Sequence, residues 1–227
     1  MIGLDFDVPA NGEIRIICFG AHSDDIEIGV GATVLELAGR FPSAHIAWHV
    51  LSGEGDRERE ARESAAFFTD GFANVEVEVH GFQDGSFPAQ LPAIKQAMEQ
   101  AKVSFEADIV FTHFRGDLHQ DHRTVGEVTW QTFRNQLIFE YEILKYDGDL
   151  GSPSAFFSVS NAMKKKKLAA LEKYFSSQRD KDWFDAEAFS ALMRIRGLEC
   201  RSPSGYAEAF YCKKAVFSLN CFDDNEE

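Results

Sequence analysis

The feature that most constrains this chain is an alternation of short apolar runs with helical patterns, each run giving way to a polar cluster. "EIRIICFGA" (residues 13–21) is β-branched and aromatic and stops at a glycine, which predicts a buried strand followed by a turn. After it Ile26, Val30, Val34 and Leu37 recur at helical spacing, and Gly39 stands where a helix is expected to stop. The same alternation predicts strands at 45–52, 75–80 and 108–114 and helices at 56–68, 91–104 and 122–136. Repeated units of this kind predict an α/β fold: a Rossmann-like, mainly parallel sheet with right-handed crossovers and helices on both faces. Past residue 137 the pattern is less regular. Strands are expected in "IFEYEILKY", "AFFSVS" and "YAEAFYCKKAVFSL", helices at 162–177 and 183–196, and a disordered tail at 222–227. With no internal repeat and no Pro/Gly/Ser-rich linker, residues 1–227 read as one domain.

Charge and cysteine usage narrow the function. Thirty-seven acidic against 23 basic residues give a formal charge of −14, which repels phosphate backbones, so nucleic acid is not an expected partner. Met1 to Asp7 lacks the basic and apolar regions of a signal peptide, and nothing approaches the roughly 18 apolar residues of a membrane span. A soluble, cytoplasmic protein is expected. Cys18, Cys200, Cys212 and Cys221 have neither C-x-x-C spacing nor scaffold density, so reduced thiols are expected there. "KKKK" at 164–167 reads as a solvated helix face, and His45, His49 and His80 as structural histidines.

In parallel sheets ligands bind beyond the carboxyl ends of the strands, and the polar clusters fall there. "AHSDD" follows the first strand, "SGEGDR" the second, "HGFQDGS" the third and "HFRGDLHQDH" the fourth. His22 and Asp25, three residues apart through a turn, can converge on one ion. A catalytic zinc commonly takes three protein ligands and leaves a position for water, so a third is needed, and His119 or His122 of "HQDH" can supply it. Asp24 diverges from Asp25 and is left facing the water, where a general base belongs. Asp24 or Ser23 can equally be a helix cap. Arg57 and Asp84, after the second and third strands, are candidate contacts for sugar hydroxyls or an anionic aglycone. His113 reads as a hydrogen-bonded structural histidine, and Glu27 and Glu208 as supporting or capping carboxylates.

At these residues, "AHSDDIE" and "HQDHRTVG", the sequence resembles the PIG-L/LmbE family of zinc-dependent N-deacetylases, with "RERE", the "DG" at Asp84 and Gly85, and "GYAEAF" (205–210) extending the likeness over most of the chain. The resemblance implies that His22, Asp25 and His122 bind zinc, that Asp24 is the base, and that His119 assists the tetrahedral intermediate or the leaving amine with Asp121 orienting it. Ser23 and Gln120 stand where the family often has proline. The late-helix tyrosine that some relatives use for the oxyanion has no counterpart in "DWFDAEAFSALMR".

The expected reaction is hydrolysis of an N-acetylated amino sugar or its conjugate, with Asp24 taking the proton of water and a protonated His119 stabilising the oxyanion. An amidase on a larger acyl group or a thiol conjugate is the sibling reading. Iron(II) or cobalt would also suit the ligand set. The amino-sugar substrate is the expected partner, with homo-oligomer formation left open. A dinucleotide enzyme is disfavoured because "GAHSDDIEIGVG" is no G-x-G-x-x-G. A phosphoacceptor domain is disfavoured because "VHGF" offers no aspartate, and a structural zinc site would close with four ligands.

Overall fold

The computed structural model describes residue 3 and residues 13–216, so the tail at 222–227, Cys221 and residues 217–219 of the expected final strand lie outside the described residues. In chain order the elements are β1 (Arg15–Gly20), α1 (Asp25–Arg40), β2 (His45–Val50), α2 (Asp56–Phe68), β3 (Asn74–Val79), α3 (Phe87–Ser104), β4 (Ile109–His113), α4 (Gln120–Thr132), β5 (Leu137–Tyr141), β6 (Ala155–Ser158), α5 (Asn161–Tyr174), α6 (Ala186–Glu199) and β7 (Ala207–Tyr211). They form one sheet of order β3-β2-β1-β4-β5-β7-β6. The first five strands are mutually parallel, and β7 runs antiparallel to both β5 and β6.

Strand β1 is apolar from Ile16 to Phe19 because it is covered on both faces. Ile16 and Cys18 join the core under α1, α2 and α5, whereas Ile17 and Phe19 join the core under α3 and α4. From β1 the chain steps outward through β2 to β3, then returns to the other side of β1 for β4 and β5. The order therefore reverses between β1 and β4, and a crevice opens at their carboxyl ends. These two strands are last paired at Cys18 and Phe111. Beyond that point the hydroxyl of Tyr141, at the end of β5, donates to the Phe19 carbonyl at 2.6 Å. Gly29 lets α1 pass over that tyrosine, since a Cβ there would run into its ring.

Element ends differ from expectation for local reasons. Helix α1 runs through Gly39 to Arg40, and the Phe41 N–H closes its last turn on Leu37. Helix α3 begins four residues early, at Phe87, because Asp121 of α4 accepts the Phe87 N–H at 3.0 Å where the Ser86 side chain makes no cap. Helix α4 starts at Gln120 and ends at Thr132, after which Phe133 turns into the core. The expected helix to 177 ends at Tyr174, with a short 3-10 turn at Ser176–Gln178. Helix α6 starts at Ala186, where Asp185 caps the Ala188 N–H.

The lysine run is not uniformly solvated. Lys167 is only 2% exposed. Its Nζ donates to Glu208 Oε1 at 2.5 Å and to the Ile28 carbonyl at 2.6 Å. Glu208, on β7, in turn accepts the N–H groups of Ala32 and Thr33 at 3.0 and 2.7 Å. Both members of the Ile28–Ala32 pair that a regular helix joins are thus engaged by side chains, which fixes α1 against α5 and β7. Glu208→Ala should destabilise the fold by about 3–5 kcal/mol, because it strands a buried ammonium and two amides. Urea unfolding would check this, and a loss under about 1 kcal/mol would show that Lys167 finds other partners.

Candidate active site

The turn "HSDD" follows β1, and its geometry separates the two aspartates. Asp24 occupies the N-cap position of α1, but its side chain makes no cap hydrogen bond. The Ser23 hydroxyl is buried and also caps nothing. Asp25 turns back instead: its Oδ2 accepts the His22 N–H at 2.7 Å and lies 3.1 Å from His113 Nε2, and its Oδ1 lies 3.4 Å from His122 Nε2. His122 Nε2 is 3.2 Å from His22 Nδ1. One ligand atom each from His22, Asp25 and His122 lie within 4.8 Å of one another, and all three side chains are buried.

The far nitrogen of each histidine rests on a carboxylate. His122 Nδ1 is 3.0 Å from Asp117 Oδ2, which is itself held by Lys145 Nζ at 3.0 Å. His22 Nε2 lies 3.1 Å from Asp84 and 3.3 Å from Asp121. Such backing fixes ring orientation and tautomer, leaving His22 Nδ1 and His122 Nε2 as lone pairs toward a common point. Two imidazoles and a carboxylate at separations of 3.2 and 3.4 Å suit a borderline divalent ion such as zinc. Burial lowers the affinity of His22 for a proton, but Asp25, Asp121 and Asp84 outweigh it and raise the imidazole well above its usual range. The same carboxylates would also favour a metal cation.

Asp24 lines the same cavity, of about 250 Å³, as the three ligand candidates. Its Oδ1 receives Arg57 Nη2 at 3.2 Å, whereas its Oδ2 is buried with no partner. Burial, then the charge of Asp25, push its carboxyl upward. Arg57 also reaches Asp84 at 3.6 Å, and the hydrogen bond from His22 is the main reason Asp84 is lowered to about 2. Arg57 and Asp84 were expected as substrate contacts; both line the cavity, but each is already engaged with Asp24, His22 or the other.

One further expectation is corrected. The Asp121 carboxylate does not orient His119. It accepts the N–H groups of Gly85 (2.6 Å) and Phe87 (3.0 Å) and faces His22, so it braces the loop carrying Asp84. His119, the N-cap of α4, accepts the Asp121 N–H on Nδ1 at 3.3 Å, which selects the tautomer with the proton on Nε2. Burial, then the neighbouring His122 and His22, lower its pKa, a direction that disfavours the protonated imidazole. His113 fits the structural reading: wholly buried, it accepts the Ala21 N–H on Nε2 at 3.0 Å. Glu208 braces α1, as described, and Glu27 is fully buried beside Ser64 of α2, burial raising its carboxyl well above the usual range.

Sequence reasoning missed Asp117, Lys145, Tyr146, Gln178, Lys181 and Trp183, of which all but Asp117 line the cavity. Asp117 stood inside the quoted "HFRGDLHQDH", five residues before His122, where a backing carboxylate was open to inference. The others come from the connections after β5 and α5 and carry no local signal. Tyr146 is the phenol that the structure brings to the cavity wall; α6 has none. Among the described residues no helix is long and apolar enough to cross a membrane, and Cys18, Cys200 and Cys212 are free thiols.

The family model described as PIG-L, GlcNAc-PI de-N-acetylase, matches residues 17–133, a span holding both motifs. YaiS, an uncharacterized deacetylase of Escherichia coli strain K12, is 31% identical over 183 residues, which cover 74% of this chain and 94% of that protein. The fold matches N,N'-diacetylchitobiose deacetylase from Pyrococcus horikoshii with a TM-score of 0.68 at 17% identity, over 92% of this chain and 88% of that one. It matches GalB, the 4-carboxy-2-hydroxymuconate hydratase of Pseudomonas putida KT2440, with a TM-score of 0.70 at 15% identity, over 91% and 99% of the two chains. The matched span and the identity with YaiS mean that this chain belongs to the PIG-L family of deacetylases.

Proposed function

We propose that the protein is a zinc-dependent hydrolase that removes the N-acetyl group from an amino sugar or its conjugate. The observation that carries this reading is the Asp24 carboxylate: one oxygen is held by Arg57, the other is buried and unpartnered, and both sit beside a His/Asp/His donor set. His22, Asp25 and His122 would hold zinc, which would supply Lewis-acid polarisation of the amide carbonyl. Asp24, its affinity for protons raised by burial and by Asp25, takes a proton from the attacking water. His119 donates its Nε2–H to the carbonyl oxygen as negative charge builds there. The C–N bond then breaks, and the proton held by Asp24 passes to the departing nitrogen, giving acetate and a free amine.

An amino sugar suits the remaining walls. Trp183 and Tyr146 offer aromatic faces to the apolar side of a pyranose ring, while Arg57, Asp84, Asp147 and Lys181 offer hydrogen bonds to its hydroxyls. Incubation with a panel of N-acetylated sugars and glycoconjugates, with mass detection of product, tests the assignment. Acetate release is expected; release of a larger acid would favour the amidase reading.

The two aspartates should separate on substitution. Asp24→Asn should retain zinc and lose activity by about 10²- to 10⁴-fold, the usual worth of a positioned base. Asp25→Asn should weaken zinc binding itself, because a neutral amide is a poorer oxygen ligand. Zinc content and turnover measured on both variants check this, and a metal-free Asp24→Asn beside a metal-replete Asp25→Asn would reverse the roles. Trp183→Ala should raise KM by about 10-fold or more with a smaller change in kcat, the signature of lost binding that is uniform along the reaction. A pure kcat effect from steady-state kinetics would remove Trp183 from the sugar subsite.

A further inference from the structure

A second group of metal-ligand side chains lies outside the lining of the cavity, where the edge strand β3 meets β2. His49 and Glu78 face one another in register across these parallel strands, and His80 follows Glu78 on the same face. His49 Nδ1 stands 3.4 Å from Glu78 Oε2, and His80 Nε2 stands 3.7 Å from Glu78 Oε1. One ligand atom from each lie within 4.8 Å of one another. A tetrahedral ion with bonds of about 2.0–2.2 Å sets neighbouring donors about 3.3–3.6 Å apart, close to the spacings observed.

His49 is the telling residue. It is 4% exposed, and its Nδ1, although close to a carboxylate, makes no hydrogen bond. Buried polar atoms are normally paired, so an orphaned nitrogen aimed at Glu78 calls for a partner. Two imidazoles thus converge on one carboxylate.

The frame is also rigid. The His80 N–H donates to the Val50 carbonyl at 2.8 Å, its carbonyl accepts the Gly53 N–H at 3.0 Å, and Ser52 and Gly81 bridge just beyond. The His80 ring is stacked between His49 and Phe82, with centroids 6.0 and 5.7 Å away. We propose that His49, Glu78 and His80 form a second divalent-cation site, which takes a borderline transition-metal ion, zinc above all, and clamps the edge strand β3 to β2. Imidazole donors select against calcium and magnesium, which prefer all-oxygen shells. Glu78 is half exposed and gives the ion its way in. Three protein ligands leave one position for water.

The test is a zinc count on the full chain, stripped with chelator, reloaded with zinc chloride and measured by elemental analysis and titration calorimetry. His80→Ala and Glu78→Gln, in positions less buried than His49, should each hold one equivalent less than the wild type while keeping its circular dichroism spectrum and deacetylase turnover. Zinc should also raise the thermal midpoint of these variants less than that of the wild type. His122→Ala should lose the other equivalent and keep this one. If His122→Ala loses nothing while His80→Ala loses one, the proposed catalytic metal centre fails and the edge site stands. Equal zinc counts in the wild type, His80→Ala and Glu78→Gln would overturn the edge site.

Discussion

The carboxylate of Asp25 joins the two halves of the sheet. Parallel strands that wind outward in opposite directions must part somewhere, and here β1 and β4 part beyond Cys18 and Phe111. Into that gap Asp25 brings three imidazoles and a backbone amide: the His22 N–H and ring from the β1 turn, His113 from the end of β4, and His122 from the first turn of α4. A buried carboxylate without partners would be strongly disfavoured. With these partners Asp25 is held well below the usual carboxylate range, against burial, chiefly by His122, His113 and His22. The crevice that topology opens is therefore closed at its floor by one ionised side chain, and the geometry of the ligand set follows from it.

The parts legible in the sequence are those written by local physics. Strands β1, β2 and β4 are buried on both faces and rich in apolar residues, so their runs stand out, and the motif residues fall after them because the turns at the carboxyl ends must be polar. Element ends were less legible, since a partner distant in the chain sets them: nothing near Ser86 announces that Asp121 caps α3. The same holds for Lys167, which looks like one more member of a solvated run until Glu208, 41 residues away, claims it. Trp183 and Lys145 reach the cavity only when the connections after α5 and β5 fold back over it. Asp117 was legible in principle, but its spacing from His122 differs from that of an ordinary surface loop only once β4 is placed.

Topology alone leaves the chemistry open. The likeness to GalB is as good by TM-score as the likeness to the chitobiose deacetylase, and the two carry names for different reactions. What distinguishes this chain is the donor set and its backing. Five aspartates, at 24, 25, 84, 117 and 121, surround His22, His119 and His122, with Arg57 and Lys145 tempering the negative field at two points. The overall charge of −14 is thus echoed locally, where it favours a cation over an anionic ligand.

Asp24 and Asp25 show how one peptide bond separates two chemical roles. They share a turn and both are buried, so burial raises both alike. The difference is in what each receives. Asp25 accepts the His22 amide and has three imidazole nitrogens within 3.4 Å, and its carboxyl is held low. Asp24 receives one guanidinium contact and the repulsion of Asp25, which leave its carboxyl raised and one oxygen unpartnered. A permanently ionised carboxylate suits a ligand, because it gives the cation a fixed charge. A carboxylate whose charge is less stabilised suits a base, because it gains more on accepting a proton. Exchanging the two side chains in space would put the strained charge on the ion and the stabilised one on the water, and both tasks would be done worse.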